Sequence, residues 1–82
     1  MTVYKLPLIL DPQPEGGYVV TCPLLPELVT EAEDIDGAIR NAKEALGALI
    51  EGFKALGRPL PPALRPFSDR EPIWLDAALA VS

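Results

Sequence analysis

Acidic side chains are the residues in this sequence that could most directly support chemistry. Six of them flank the predicted strands and the start of a predicted helix: Asp11, Glu15, Glu31, Glu33, Asp34 and Asp36. Carboxylates that converge from strand ends can bind divalent metal ions and support phosphodiester hydrolysis. Most of these acids, however, fall in predicted loops or near a helix N-terminus, where the macrodipole already favours them. We therefore interpret them as structural and expect no metal and no cofactor.

Nucleophilic catalysis is the other chemistry to consider. The chain has no histidine, which removes the commonest general base and metal ligand. Its single cysteine, Cys22, has no nearby cation in the sequence to activate it, so we interpret it as a buried strand residue. One cysteine also excludes an internal disulfide, as is typical of a reducing compartment. We expect no catalytic residues and no enzymatic activity.

Length and charge limit the possible functions further. With 82 residues, 49% of them hydrophobic, the chain is expected to form one domain over residues 1–82 with no second domain. The net charge of −5 argues against direct nucleic-acid binding and suits a basic protein partner. Neither a signal-peptide pattern nor a membrane-spanning apolar run is present, so the prediction is a cytoplasmic protein without membrane contact.

One long helix, residues 34–57, is the element around which the chain is organised. Its apolar residues recur at gaps of three and four, which places them on one stripe: Ile35, Ala38, Ile39, Ala42, Leu46, Leu49, Ile50, Phe53 and Leu56. Asp34 is the predicted N-cap, because its carboxylate can accept from free N–H groups of the first turn. Gly57 is the predicted left-handed residue after the helix, and Pro59 prevents continuation.

Four strands are predicted around this helix. Three precede it, at Val3–Leu10, Tyr18–Cys22 and Glu27–Glu33, with a turn-rich hairpin connection between the first two. After the helix, a proline-rich stretch up to Pro72 is predicted to be a stiff connection. The last eleven residues, PIWLDAALAVS (72–82), alternate in a way that favours a strand, although their alanines also suit a short helix.

The order β-β-β-α-β predicts an α+β fold. We expect a three-stranded antiparallel meander, one long helix on one face, and a fourth strand parallel to the first, as the right-handed crossover rule favours. The first and last strands are apolar on both faces, but one helix covers only one face. Self-association or a partner must therefore bury the other. Trp74 is either a core residue or an interface anchor. Alternation places the candidate interface residues on the face away from the helix: Lys5, Val19, Thr21, Trp74 and Ala78.

Several ordered motifs resemble the HicB-like antitoxins. They are Tyr4 in the first strand, GGYVV at 16–20, the corner Pro23–Pro26, VTE at 29–31, the helix start with its NAKEA run at 41–45, and LGRPLPP at 56–62. The family usually has Gly where this chain has Glu27 and Ala32, and Ser or Thr at the position of Asp34. It usually has an acidic residue at the position of Gly37, so the reciprocal half of a capping box is lost here.

The resemblance implies a partial ribonuclease-H-like domain that neutralises a small, basic, mRNA-cleaving toxin of the HicA type. Family members often carry an appended DNA-binding domain, which we do not expect here. The predicted function is thus that of an antitoxin-like binding module. Its expected partners are a HicA-like toxin, which it would bind and neutralise, and further copies of itself in a homo-oligomer. An alternative is an orphan domain of this fold that only self-associates or binds a small ligand. A divalent-metal nuclease built on the acids is the third hypothesis.

Overall fold

The computed structural model describes residues 2–82 and contains one long helix and several short strands. The elements in chain order are β1 (Thr2–Tyr4), β2 (Ile9–Pro12), β3 (Tyr18–Thr21), β4 (Val29–Ala32), α1 (Ile35–Ala55) and β5 (Pro66–Ser68). Strands β2, β3 and β4 form a three-stranded antiparallel meander in that order. Strands β1 and β5 pair as a separate two-stranded sheet. The predicted α+β class, the meander, the long helix and a last strand that pairs with the first are confirmed.

The position and direction of the last strand differ from the prediction. Strand β5 lies at Pro66–Ser68, inside the stretch predicted to be a plain connection, and runs antiparallel to β1, with Phe67 opposite Val3. Residues 72–82, predicted to be a strand parallel to the first, form neither strand nor helix. Alternation in a sequence shows which side chains could share a face, but a strand also needs a neighbouring edge with which to pair.

The predicted first strand is interrupted in its middle. Strand β1 ends at Tyr4 and β2 begins at Ile9, with Pro7 in the segment between them. Proline lacks the N–H that a ladder position requires, so the pairing breaks around it. The alternation nevertheless persists across the break, because Tyr4, Leu6 and Leu8 all pack against the core.

Both ends of α1 are capped by the predicted residues, Asp34 and Gly57. The Asp34 carboxylate accepts a hydrogen bond from the backbone N–H of Gly37 at 2.6 Å. At the other end Gly57 has φ +65°, which is favourable only for glycine. Its N–H donates to the carbonyl of Lys54 at 3.1 Å, and the N–H of Arg58 donates to that of Phe53 at 2.9 Å. This pair of bonds is the Schellman pattern, so both predicted caps are confirmed.

The core lies under one side of α1. Val20 of β3 and Ala38 of α1 are fully buried. The buried core cluster comprises Cys22, Leu25, Leu28, Ala42 and Leu64. Most of its members come from the loop after β3 and from the proline-rich connection, so these irregular segments cover the helix where the short sheet does not. Cys22 is buried as predicted, whereas Ile39 and Leu56 of the predicted apolar stripe are 57% and 72% exposed.

Candidate functional site

The face of the three-stranded sheet that points away from the buried side forms the first part of the candidate site. Paired residues of antiparallel strands share a face. Two rows of paired residues therefore lie opposite the face of Val20, and we call them the outer face: Ile9, Thr21 and Val29 in one row, Asp11, Val19 and Glu31 in the other. Ile9 is 46% and Val29 59% exposed, although both are large aliphatic residues. The outer face is thus an aliphatic surface bordered by carboxylates.

An open polar cleft of about 590 Å³ adjoins this surface. It lies between the β2–β3 hairpin, the end of β4 and the first turns of α1. Its charged lining residues are Glu15, Glu31, Glu33, Asp34 and Arg40, that is, four acidic residues and one arginine. We call it the acidic cleft. Val19 and Glu31 belong both to this lining and to the outer face, and the two surfaces are therefore continuous.

Local backbone chemistry holds the walls of the acidic cleft in place. The hairpin closes through Gln13, whose N–H donates to the carbonyl of Gly17 at 3.0 Å. Gly17 has φ +77°, and a Cβ atom added there would lie 3.0 Å from the backbone oxygen of Ala32, so a larger residue would be strained and would crowd the end of β4. On the opposite wall the Asn41 amide donates to the carbonyl of Glu31 at 2.7 Å and ties α1 to β4.

The structure places the five predicted interface residues in three separate regions. Val19 and Thr21 are half-buried on the outer face, as alternation predicted. Lys5 and Trp74 line a smaller cleft of about 220 Å³ beside the two-stranded sheet. Ala78 is exposed in the segment without regular structure. Trp74 and Ala78 are therefore not on a strand of the sheet, because the final strand on which their predicted facing depended forms at Pro66–Ser68 instead.

Four of the six acids considered for metal chemistry line the acidic cleft, but they are not arranged as a metal site. Among residues 2–82 no group of three or more acidic or cysteine side chains lies in an arrangement that could hold a metal ion. In the same range no helix is long and apolar enough to cross a membrane.

Comparison with known proteins places the chain in a family. It is 30% identical over 59 residues to the UPF0150 protein ssr1765 of Synechocystis sp., a match that covers 72% of this chain and 75% of that protein. The chain belongs to the UPF0150 family, whose members are HicB-like. It is also 43% identical over 42 residues to the antitoxin HicB of Escherichia coli. That match covers 51% of this chain but only 30% of the antitoxin. No family model matches the chain.

Sequence reasoning missed the acidic cleft of this UPF0150 chain. The sequence identifies Glu15, Glu31, Glu33 and Asp34 as acids but places them in separate predicted elements: the hairpin connection, the third strand and the helix cap. The spacing offered a partial signal, since β4 runs directly into α1 and keeps Glu31, Glu33 and Asp34 together. The hairpin that brings Glu15 to the same cleft depends on the pairing of β2 with β3, which the acids themselves do not indicate.

Proposed function

We propose that this chain is an antitoxin-like binding module that neutralises a small, basic, HicA-type mRNA-cleaving toxin in the cytoplasm by protein–protein contact. The observation that carries the proposal is the continuity of the aliphatic outer face with the acidic cleft through Val19 and Glu31. The name of the Escherichia coli relative, antitoxin HicB, supports the same role. The chain acts by occlusion and contributes no catalytic group of its own.

In this proposal the outer face and the acidic cleft contribute to binding in different ways. Ile9, Val19 and Val29 supply apolar area that is desolvated on binding and gives most of the affinity. The carboxylates of the cleft attract lysine or arginine side chains and raise the association rate. The net charge of −5 acts in the same direction over longer distances, and it disfavours direct contact with nucleic acid.

Charge reversal in the cleft tests this function. The chain is co-produced with a small basic HicA-type toxin, and binding is measured by calorimetry together with the RNase activity of that toxin. The double variant Glu31→Lys with Glu33→Lys should bind about tenfold or more weakly and should fail to silence the RNase. Glu51→Lys, an exposed reversal on α1 outside the cleft, is the matched control and should behave like the unaltered chain.

An orphan domain that only self-associates, or that binds a small ligand, is the competing function. Exposed apolar residues near the C-terminal end, such as Trp74 and Leu79, favour self-association. If the HicA-type toxin does not bind, or if its RNase activity is equal in the presence and absence of this chain, the antitoxin proposal is wrong and the orphan function remains.

A further inference from the structure

Arg40 is the only positively charged residue among the described residues that line the acidic cleft. It is an exposed residue of the second turn of α1. Long side chains on a helix lean toward its N-terminus. The guanidinium of Arg40 does so, because its Nη2 atom lies 3.4 Å from the point where a Cβ atom of residue 37 would stand. Gly37 has no side chain, so the guanidinium lies over the first turn of α1 beside the cleft.

This guanidinium has no partner within the described chain. Among residues 2–82 no group forms an ion pair or a hydrogen bond with it, although the Oδ1 atom of Asp34 lies 3.0 Å from the same Cβ position. That oxygen already accepts the N–H of Gly37 at 2.6 Å. The N-terminal end of a helix is also the end at which a positive charge is least favourable. Arg40 therefore brings an unpaired positive charge to a surface that otherwise suits cations.

An arginine in this position has two opposite effects on a basic partner. It repels a partner surface that presents only lysine and arginine side chains. If the partner also places a carboxylate there, the planar guanidinium can donate two parallel hydrogen bonds to it. Specific interfaces combine attractive contacts with repulsive ones, and one arginine among four acidic residues supplies both.

We infer that Arg40 is a specificity-determining residue of the acidic cleft, and that the toxin surface bound there carries a carboxylate beside its lysine or arginine side chains. The inference rests on the proposed function, because it concerns the same surface and the same partner. It adds the charge pattern of that partner. The acidic residues of the cleft bind the cations of the toxin, and Arg40 binds the carboxylate next to them.

Removal of Arg40 distinguishes the two effects by the direction of the change. Binding of the full chain to the HicA-type toxin is measured by calorimetry. Arg40→Ala makes the cleft more negative, so attraction of a basic protein alone predicts tighter binding. We expect the Kd to rise instead by about fivefold or more, because the toxin carboxylate is left unpaired in the interface.

Lys43→Ala is the matched control for this measurement. Lys43 is an exposed cation of α1 that does not line the cleft, and its removal makes the same change in net charge. This variant should bind the toxin at least as tightly as the unaltered chain does. Polylysine, which has no carboxylate side chains, is the second probe. It should bind Arg40→Ala more tightly than the unaltered chain, in the opposite direction to the toxin.

Substitutions of Gly37 test the same contact without removal of Arg40. Residue 37 is the third after the N-cap, where a glutamate side chain lies against the start of the helix. Gly37→Glu should bind the toxin about fivefold or more weakly despite its added negative charge, because the new carboxylate pairs with the guanidinium. Gly37→Ala adds the Cβ atom alone and should bind more tightly than Gly37→Glu. Circular dichroism checks that α1 persists in every variant.

The acidic residues of the toxin identify the other half of the contact. Each exposed aspartate or glutamate of the toxin is changed to alanine and tested against the unaltered chain and against Arg40→Ala. One such toxin variant should lose affinity for the unaltered chain but lose no more for Arg40→Ala, as a direct pair requires.

The inference is overturned if Arg40→Ala binds the toxin as tightly as the unaltered chain or more tightly, or if Lys43→Ala weakens binding equally. It is also overturned if no acidic residue of the toxin is coupled to Arg40, or if polylysine does not distinguish the variants. In each of these cases the toxin still binds and the proposed function stands. If the unaltered chain does not bind the toxin, both the inference and the proposed function are wrong.

Discussion

Residues 72–82, which we call the C-terminal arm, are richer in apolar residues than the helical body that precedes them, and yet the two regions differ completely in packing. In the body, Val20, Leu25 and Leu28 are essentially excluded from water, whereas Trp74, Leu79 and Val81 of the arm are more than four-fifths exposed. The difference lies in the neighbours. Body residues meet α1 and two irregular loops of the same chain, while the arm meets no comparable surface. Apolar composition thus indicates that a segment gains stability when its side chains are buried. The fold determines whether the same chain supplies the surface that buries them.

The largest expected difference between the two regions is in the loss of unfolding free energy when a leucine is truncated to alanine. Leu28→Ala removes a side chain that is 1% exposed and should lower the free energy of unfolding by about 2–5 kcal/mol, enough to unfold much of a small domain. Leu79→Ala should change it by less than about 0.5 kcal/mol at concentrations where the chain is monomeric. Urea denaturation followed by circular dichroism measures both. Equal losses would show that the arm packs on its own body.

Two glycine-to-alanine substitutions within the body should change the free energy of unfolding in opposite directions. Gly17→Ala places a Cβ atom 3.0 Å from the Ala32 oxygen at φ +77° and should destabilise the chain by about 1–2 kcal/mol. Gly47→Ala, inside α1 with nothing within 4 Å, should stabilise it by about 0.5–1 kcal/mol. Thermal melts of the two variants give the comparison, and a stable Gly17→Ala would contradict the hairpin geometry described above.

The helix cap should give a smaller effect. Asp34→Ala removes the acceptor of the Gly37 N–H and should cost about 1 kcal/mol, whereas Asp34→Asn keeps an acceptor and should cost only a few tenths. Denaturant midpoints distinguish the two substitutions. Equal losses for alanine and asparagine would mean that the charge of Asp34, rather than its hydrogen bond, stabilises the helix.

Deletion of the arm should have the smallest effect on folding. A chain ending at Glu71 loses only exposed residues, so its free energy of unfolding as a monomer should differ from the full chain by less than about 0.5 kcal/mol. A large loss of monomer stability would show that the arm belongs to the folded body, and the comparison between the two regions would no longer hold.

Local features of the fold were predicted well from the sequence. The Asp34 cap, the Gly57 end of the helix, and the side-chain alternation of Tyr4, Leu6 and Leu8 all match the structure. The candidate site was predicted only in part. Val19 and Thr21 lie on the predicted face, but the acidic cleft beside them depends on the hairpin and the end of β4 bringing Glu15 and Glu33 to one cleft. Such long-range juxtaposition leaves no periodic signal along the chain.

The amino-acid sequence alone determined the helix, its ends, the hairpin and the family resemblance, because capping, periodicity and turn chemistry act between residues a few positions apart. Tertiary structure alone decided that Pro66–Ser68, rather than residues 72–82, pairs with the first strand. It also decided that the outer face is continuous with the acidic cleft. These outcomes depend on which strand edges and surfaces remain free once the helix and its loops have packed. That packing is determined by contacts between residues that are far apart in the chain.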